Sequence, residues 1–112
     1  MSEPLFHIAL VEDWIDAFAN GEYRMSTRSM SLDDVGFIHM STRAQLIGTA
    51  NRFYGDLDEL TVLMIDPARL EDPVRFEAAP GSDELFPHLY GALPLAAVLD
   101  ARLWQRTTDE WS

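Results

Sequence analysis

The segment ELTVLMIDP (59–67) constrains this chain more than any other stretch. Its β-branched and apolar middle is too short and too abruptly bounded for a helix, so it predicts a strand, and one placed centrally in a sheet. The rest of the chain must pack around it. With 112 residues there is material for one hydrophobic core, and residues 1–112 are read as a single domain with a tail over 107–112 whose last six residues are expected to fray.

Other segments supply partners for that strand. LFHIAL (5–10) has strand length, with His7 in its middle. VEDWIDAFANG (11–21) places Val11, Trp14, Ile15 and Phe18 at helical spacing, with Trp14 and Phe18 on the expected buried stripe and Gly21 as the stop. Residues 22–34 are polar and serine-rich without a period, which predicts a loop. GFIHM (36–40) is a second short strand, and RAQLIGTANRFYG (43–55) a helix with Leu46, Ile47, Ala50, Phe53 and Tyr54 on one stripe. DPARL reads as one helical turn capped by Asp66 with Pro67 at its first position, VRFEA (74–78) as an alternating half-buried strand, and AVLDARLWQ (97–105) as the final strand. APGSDELFPHLYGALP (79–94) reads as a long irregular connection. Short strands with two segregated helices predict an α+β domain around a bent or split sheet.

Composition removes several function classes. The formal charge is −11, from 19 acidic residues against 8 basic ones, all arginine. An acidic surface repels polyanions, so nucleic acid and anionic membrane are not expected partners. Without lysine there is no P-loop and no lysine Schiff base, and without cysteine there is no disulfide, thiolate metal site or cysteine nucleophile. The N-terminus is acidic where a signal peptide is basic, and no apolar stretch approaches membrane-spanning length, so a soluble cytoplasmic protein is expected.

The three histidines carry the chemistry available near neutral pH. His7 is weighted toward a hydrogen-bonded structural role. His39 is balanced between that role and a ligand role, because Ser41 and Thr42 follow it at a strand-to-helix junction whose N–H groups can receive an anion. His88 is the most suggestive: Pro87 stiffens F-P-H-L-Y so that Phe86, His88 and Tyr90 are displayed near Glu84. None of the three lies at a short metal-ligand spacing from another, and no metal site is expected.

GFIHMST, TANRFYG, VLMIDPARL, VRFE and ELFPHLYGALPL, in this order, resemble the domain of unknown function 952 family, from about Leu5 to Leu103. The resemblance implies a compact bacterial α+β domain similar to the ADP-ribosyltransferase fold. It implies that His7 holds a ribose hydroxyl of NAD and that Tyr54 stacks on nicotinamide. Glu84 and His88 stand where such enzymes commonly carry the glutamate that steadies an oxocarbenium-like ribose. The combined expectation is a small-ligand cleft for NAD or a related nucleotide, with His39, His88 and Glu84 catalytic and His7, Ser41, Thr42, Tyr54, Phe86 and Tyr90 binding. The enzyme expected on that reading is an ADP-ribosyl- or glycosyl-transferase. The alternative is a nonenzymatic module that binds a metabolite or a protein segment and uses its histidines structurally.

Overall fold

The computed structural model describes residues 3–78 and 82–112. It is an α+β arrangement of short antiparallel sheets with few helices. Strand β1 (Leu5–Ala9) leads into helix α1 (Val11–Asn20), which Gly21 closes in the left-handed conformation. The segment 22–34 is not the expected loop. It forms β2 (Glu22–Tyr23), β3 (Met25–Thr27), β4 (Met30–Ser31) and the single-turn helix α2 (Leu32–Val35). Its polar residues are used locally: Ser31 accepts from the Asp34 N–H while the Asp34 carboxylate accepts from the Ser31 N–H, a reciprocal cap that needs no apolar period.

Then follow β5 (Ile38–His39), a 3₁₀ turn, α3 (Leu46–Phe53), β6 (Glu59–Ile65) and a second 3₁₀ turn at Pro67–Arg69. Asp66 caps that turn by accepting from the Ala68 N–H at 3.0 Å. The chain ends through β7 (Val74–Ala78), β8 (Leu85–Leu89), β9 (Leu93–Pro94) and β10 (Val98–Gln105). The stretch 79–94 is therefore not wholly irregular, for β8 and β9 lie within it; residues 79–81 fall outside the described residues.

As its composition predicts, β6 is central, flanked by antiparallel β1 and β10. A second sheet has the order β5-β8-β7 and holds β8 at its centre. Phe6 and Ser41 join the two sheets by exchanging backbone hydrogen bonds of 2.8 and 2.7 Å. The main core fills the space around them with Leu5, Tyr23, Ile38, Met40, Leu63, Ile65, Leu89 and Leu93. All of β1 is buried, so His7 has no solvated side to face.

Two packing expectations are corrected. Ile15 and Phe18 of α1 are exposed, and only Ala17 of that helix is fully buried; Phe18 instead packs edge-on against Trp14 at 4.9 Å. The tail does not fray. Trp111 is buried in a second cluster with Ile8, Ala50, Tyr54 and Leu60. Its indole donates to the Tyr54 carbonyl at 2.9 Å, and its backbone exchanges hydrogen bonds with the Asn51 amide at 2.6 and 3.0 Å.

Candidate functional site

Residues directly opposite in an antiparallel ladder share a face, and the faces alternate along each strand. In the second sheet His39 lies opposite His88, and Arg75 lies opposite His88 from the other side. Three basic side chains thus form one rung, His39–His88–Arg75. The next rung, Ile38–Leu89–Val74, turns to the other face, where Ile38 and Leu89 are fully buried in the core. Two residues along from His88 and from Arg75, Tyr90 and Glu77 return to the histidine face.

Pro87 shapes this sheet. Proline lacks the N–H that a central strand needs on both sides. The Met40 N–H reaches the Pro87 carbonyl at 2.9 Å, but Pro87 has no N–H to give in return. The β5–β8 ladder accordingly ends after two residue pairs.

Over the histidine face lies a hollow of about 470 Å³. Its floor is His39, His88, Glu77 and Tyr90, and its walls are Phe37, Phe53, Met30 and Val35. Its volume lies within the range that small-molecule pockets occupy, and its lining is mostly apolar with a few polar groups. Phe37 stacks on the His88 ring, with centroids 3.9 Å apart and planes 13° from parallel. The two imidazoles stand 5.6 Å apart by centroid.

The protonation pattern follows from the partners. A single oxygen of Glu77 accepts from His88 Nδ1 at 3.0 Å and from the Tyr90 hydroxyl. Those two donors, Tyr90 first and then His88, hold the Glu77 carboxyl below its usual range, and the carboxylate in turn pushes the Tyr90 phenol up. Because that carboxylate oxygen can only accept, His88 Nδ1 carries a proton. His39 differs: burial, with the nearby His88 second, lowers its pKa to about 4, so the ring is neutral near pH 7. Its Nε2 is buried and has no hydrogen-bond partner among the described residues.

His7 supports this face from behind. Its Nδ1 lies 2.6 Å from the His39 carbonyl, which can only accept, so that nitrogen carries the proton. Nε2 then accepts from the Tyr23 hydroxyl at 2.8 Å. Burial lowers the His7 pKa to about 4 as well. The His39 N–H is held by Ser26 Oγ at 3.2 Å.

The structure therefore brings His39, His88 and Tyr90 together, with Phe86 beside the His39 ring at 5.1 Å. It separates the other expected residues from them. His7 is sealed and both its nitrogens are engaged, which leaves none for a ribose hydroxyl. Tyr54 is buried among Ile8, Leu60 and Trp111, so its ring is closed to a stacking ligand; Phe53, its neighbour in sequence, borders the hollow instead. The anion seat at Ser41 and Thr42 is already filled by protein acceptors. The Ser41 N–H donates to the Phe6 carbonyl and the Thr42 N–H to the Gln45 side chain. Glu84 accepts from Gln45 at 3.1 Å and is not part of the hollow's lining. The carboxylate at the histidines is Glu77, which the sequence reading passed over. The alternation of VRFEA, with Arg75 and Glu77 on its polar face, was the available signal. Among the described residues, no group of three or more His, Cys, Asp or Glu side chains is placed to hold a metal ion.

Residues 8–101 match the family model described as Protein of unknown function (DUF952), and the chain belongs to that family. Among solved structures it is similar to protein CC0527 from Caulobacter crescentus. The crystal structure of that protein is 28% identical, with a TM-score of 0.81, over 96% of this chain and 91% of that one. A solution NMR structure of the same protein is 26% identical, with a TM-score of 0.78, over 96% and 90% of the two chains. No curated protein matches the chain.

Proposed function

We propose that this member of the family binds a small ligand with a flat ring, of the nucleotide class, in the hollow over His39 and His88. The observation that carries the proposal is the apolar hollow with His39 and His88 in its floor, where the His39 Nε2 atom is buried without a hydrogen-bond partner among the described residues. A buried unpaired nitrogen costs stability, and a ligand hydrogen bond removes that cost. Phe37 and Phe53 offer aromatic surface to a ring.

In the catalytic form of this reading, His88 is the general base. Glu77 orients it and stabilises the imidazolium that forms when Nε2 takes a proton, as a carboxylate does in an acid–base dyad. The resemblance to ADP-ribosyltransferases suggests the reaction. The bond between ribose C1′ and the nicotinamide nitrogen of NAD breaks, its electron pair leaves with nicotinamide, and an acceptor hydroxyl attacks C1′ while losing its proton to His88. Glu77 then takes the part of the charge-stabilising carboxylate that the sequence had offered to Glu84.

The test adds NAD, adenosine or nicotinamide at millimolar concentration and follows the imidazole resonances by NMR. Shifts at both His39 and His88, with no change at His7, are expected. Silence of both rings toward all three compounds ends the proposal. Release of nicotinamide over hours, lost in Glu77→Gln while the resonance shifts persist, separates catalysis from binding alone.

A further inference from the structure

Among the described residues, five of the eight arginines form ion pairs with carboxylates: Arg24, Arg28, Arg69, Arg102 and Arg106. Arg75 does not, in a chain with 19 acidic residues to choose from. It sits on the histidine rung, opposite His88, and its guanidinium lies over the Tyr90 ring at 5.2 Å from the centroid. Tyr90 and Glu77 belong to the lining of the hollow, so Arg75 stands at its margin.

Two features keep this guanidinium available. A position over an aromatic ring draws the cation toward that ring without using any of its N–H donors. Glu77, on the same face, already spends one carboxylate oxygen on His88 and Tyr90; the Arg75 charge helps to hold its carboxyl low, but among the described residues no ion pair or hydrogen bond joins the two. A planar fork of donors without an acceptor among the described residues matches a two-oxygen anion.

We propose that the ligand of the hollow carries an anionic group, carboxylate or phosphate, and that Arg75 is the residue that selects it. The inference rests on the small-ligand reading above and adds the charge class of the ligand. The ring of such a ligand lies against Phe37 and Phe53, and its anion reaches the margin where Arg75 stands. The neutral His39 ring adds no charge of its own near pH 7 and the Glu77 carboxylate adds a negative one, so a preference for an anion falls to Arg75.

The experiment uses three probes of similar ring size on the full chain: benzoate, phenyl phosphate and neutral benzamide. NMR follows the Arg75 Nε–H resonance together with the His39 and His88 imidazoles. At least one anion should bind about tenfold more tightly than benzamide, equivalent to roughly 1.4 kcal/mol, and move all three residues. Arg75→Gln should erase that preference while leaving benzamide binding unchanged, and which anion gains more identifies the carboxylate or phosphate source. Since Arg75 is exposed and makes no hydrogen bond among the described residues, the variant should fold normally, and Arg52→Gln serves as a control at another unpaired arginine. If benzamide shifts the imidazoles and neither anion gains, the Arg75 assignment fails and the cleft reading stands. Should the anions move Arg75 without touching either histidine, or no probe move any of the three, both readings fall together.

Discussion

The buried histidines make this protein acid-sensitive in a defined window. The pKa values of His7 and His39 fall to about 4, both chiefly through burial. The unfolded chain, with its histidines near the ordinary 6.5, binds protons that the folded chain refuses. Stability is therefore complete above about pH 6.5, declines as the pH falls, and stops declining on this account below about 4. Each ring contributes at most roughly 3 kcal/mol across that window. Asp34, held low by Ser31, and Asp56, held low by Arg28, add losses only as carboxylates protonate. Urea unfolding at pH 7 and pH 4.5 should show the lower midpoint at pH 4.5, and His7→Gln should flatten that dependence; equal midpoints in the parent protein would contradict the burial of these rings. Glu77→Gln should also let the Tyr90 phenol ionise at lower pH, because the carboxylate that pushes it up is gone, and the rise of tyrosinate absorbance reports it.

Elements differ in how far their sequences reveal them. Strands β1, β6, β7 and β10 and helix α1 lie where local apolar runs and periods place them, although Ile15, Phe18, Phe76, Leu99 and Leu103 of those runs are exposed rather than buried. The polar segment 22–34 hides its strands because they are two or three residues long and are held by partners elsewhere, such as β9 for β2. Strand β8 was obscured by Pro87, which argues against a central strand until the two-pair ladder with β5 is known. The same limit applies to the site. His39, His88 and Tyr90 were legible as chemical types, whereas Glu77 joins them only through the register of β7 on β8. Beyond β8, Gly91 makes a further local demand. A Cβ there would stand 1.9 Å from Asp72 Oδ2 and 2.6 Å from its Cβ, so the whole Asp72 side chain would have to move. Gly91→Ala should cost roughly 1–3 kcal/mol. Asp72→Gly in the same chain should recover most of it, and a double-mutant cycle by urea denaturation measures the recovery.

At the scale of the whole molecule, the two sheets are tied at Phe6 and Ser41, and the C-terminal tail expected to be loose carries a buried indole. Trp111 fills the second cluster against Trp104, with ring centroids 4.7 Å apart. No local period announces this role, since residues 106–112 have neither alternation nor helical spacing. Trp111→Ala should destabilise the protein by about 3–5 kcal/mol, as loss of a fully buried aromatic does. A thermal midpoint within a degree or two of the parent would mean that the residue is dispensable. Among the described residues no helix is long and apolar enough to cross a membrane.

The position of β10 beside β6 also sets an order of events during synthesis. The central strand emerges from the ribosome with only β1 available as a neighbour, and its other edge stays bare until β10 has been made. The indole that plugs the second cluster arrives later still. A nascent chain halted before those residues appear should therefore remain open to protease, and cooperative folding should begin only once they have cleared the exit tunnel.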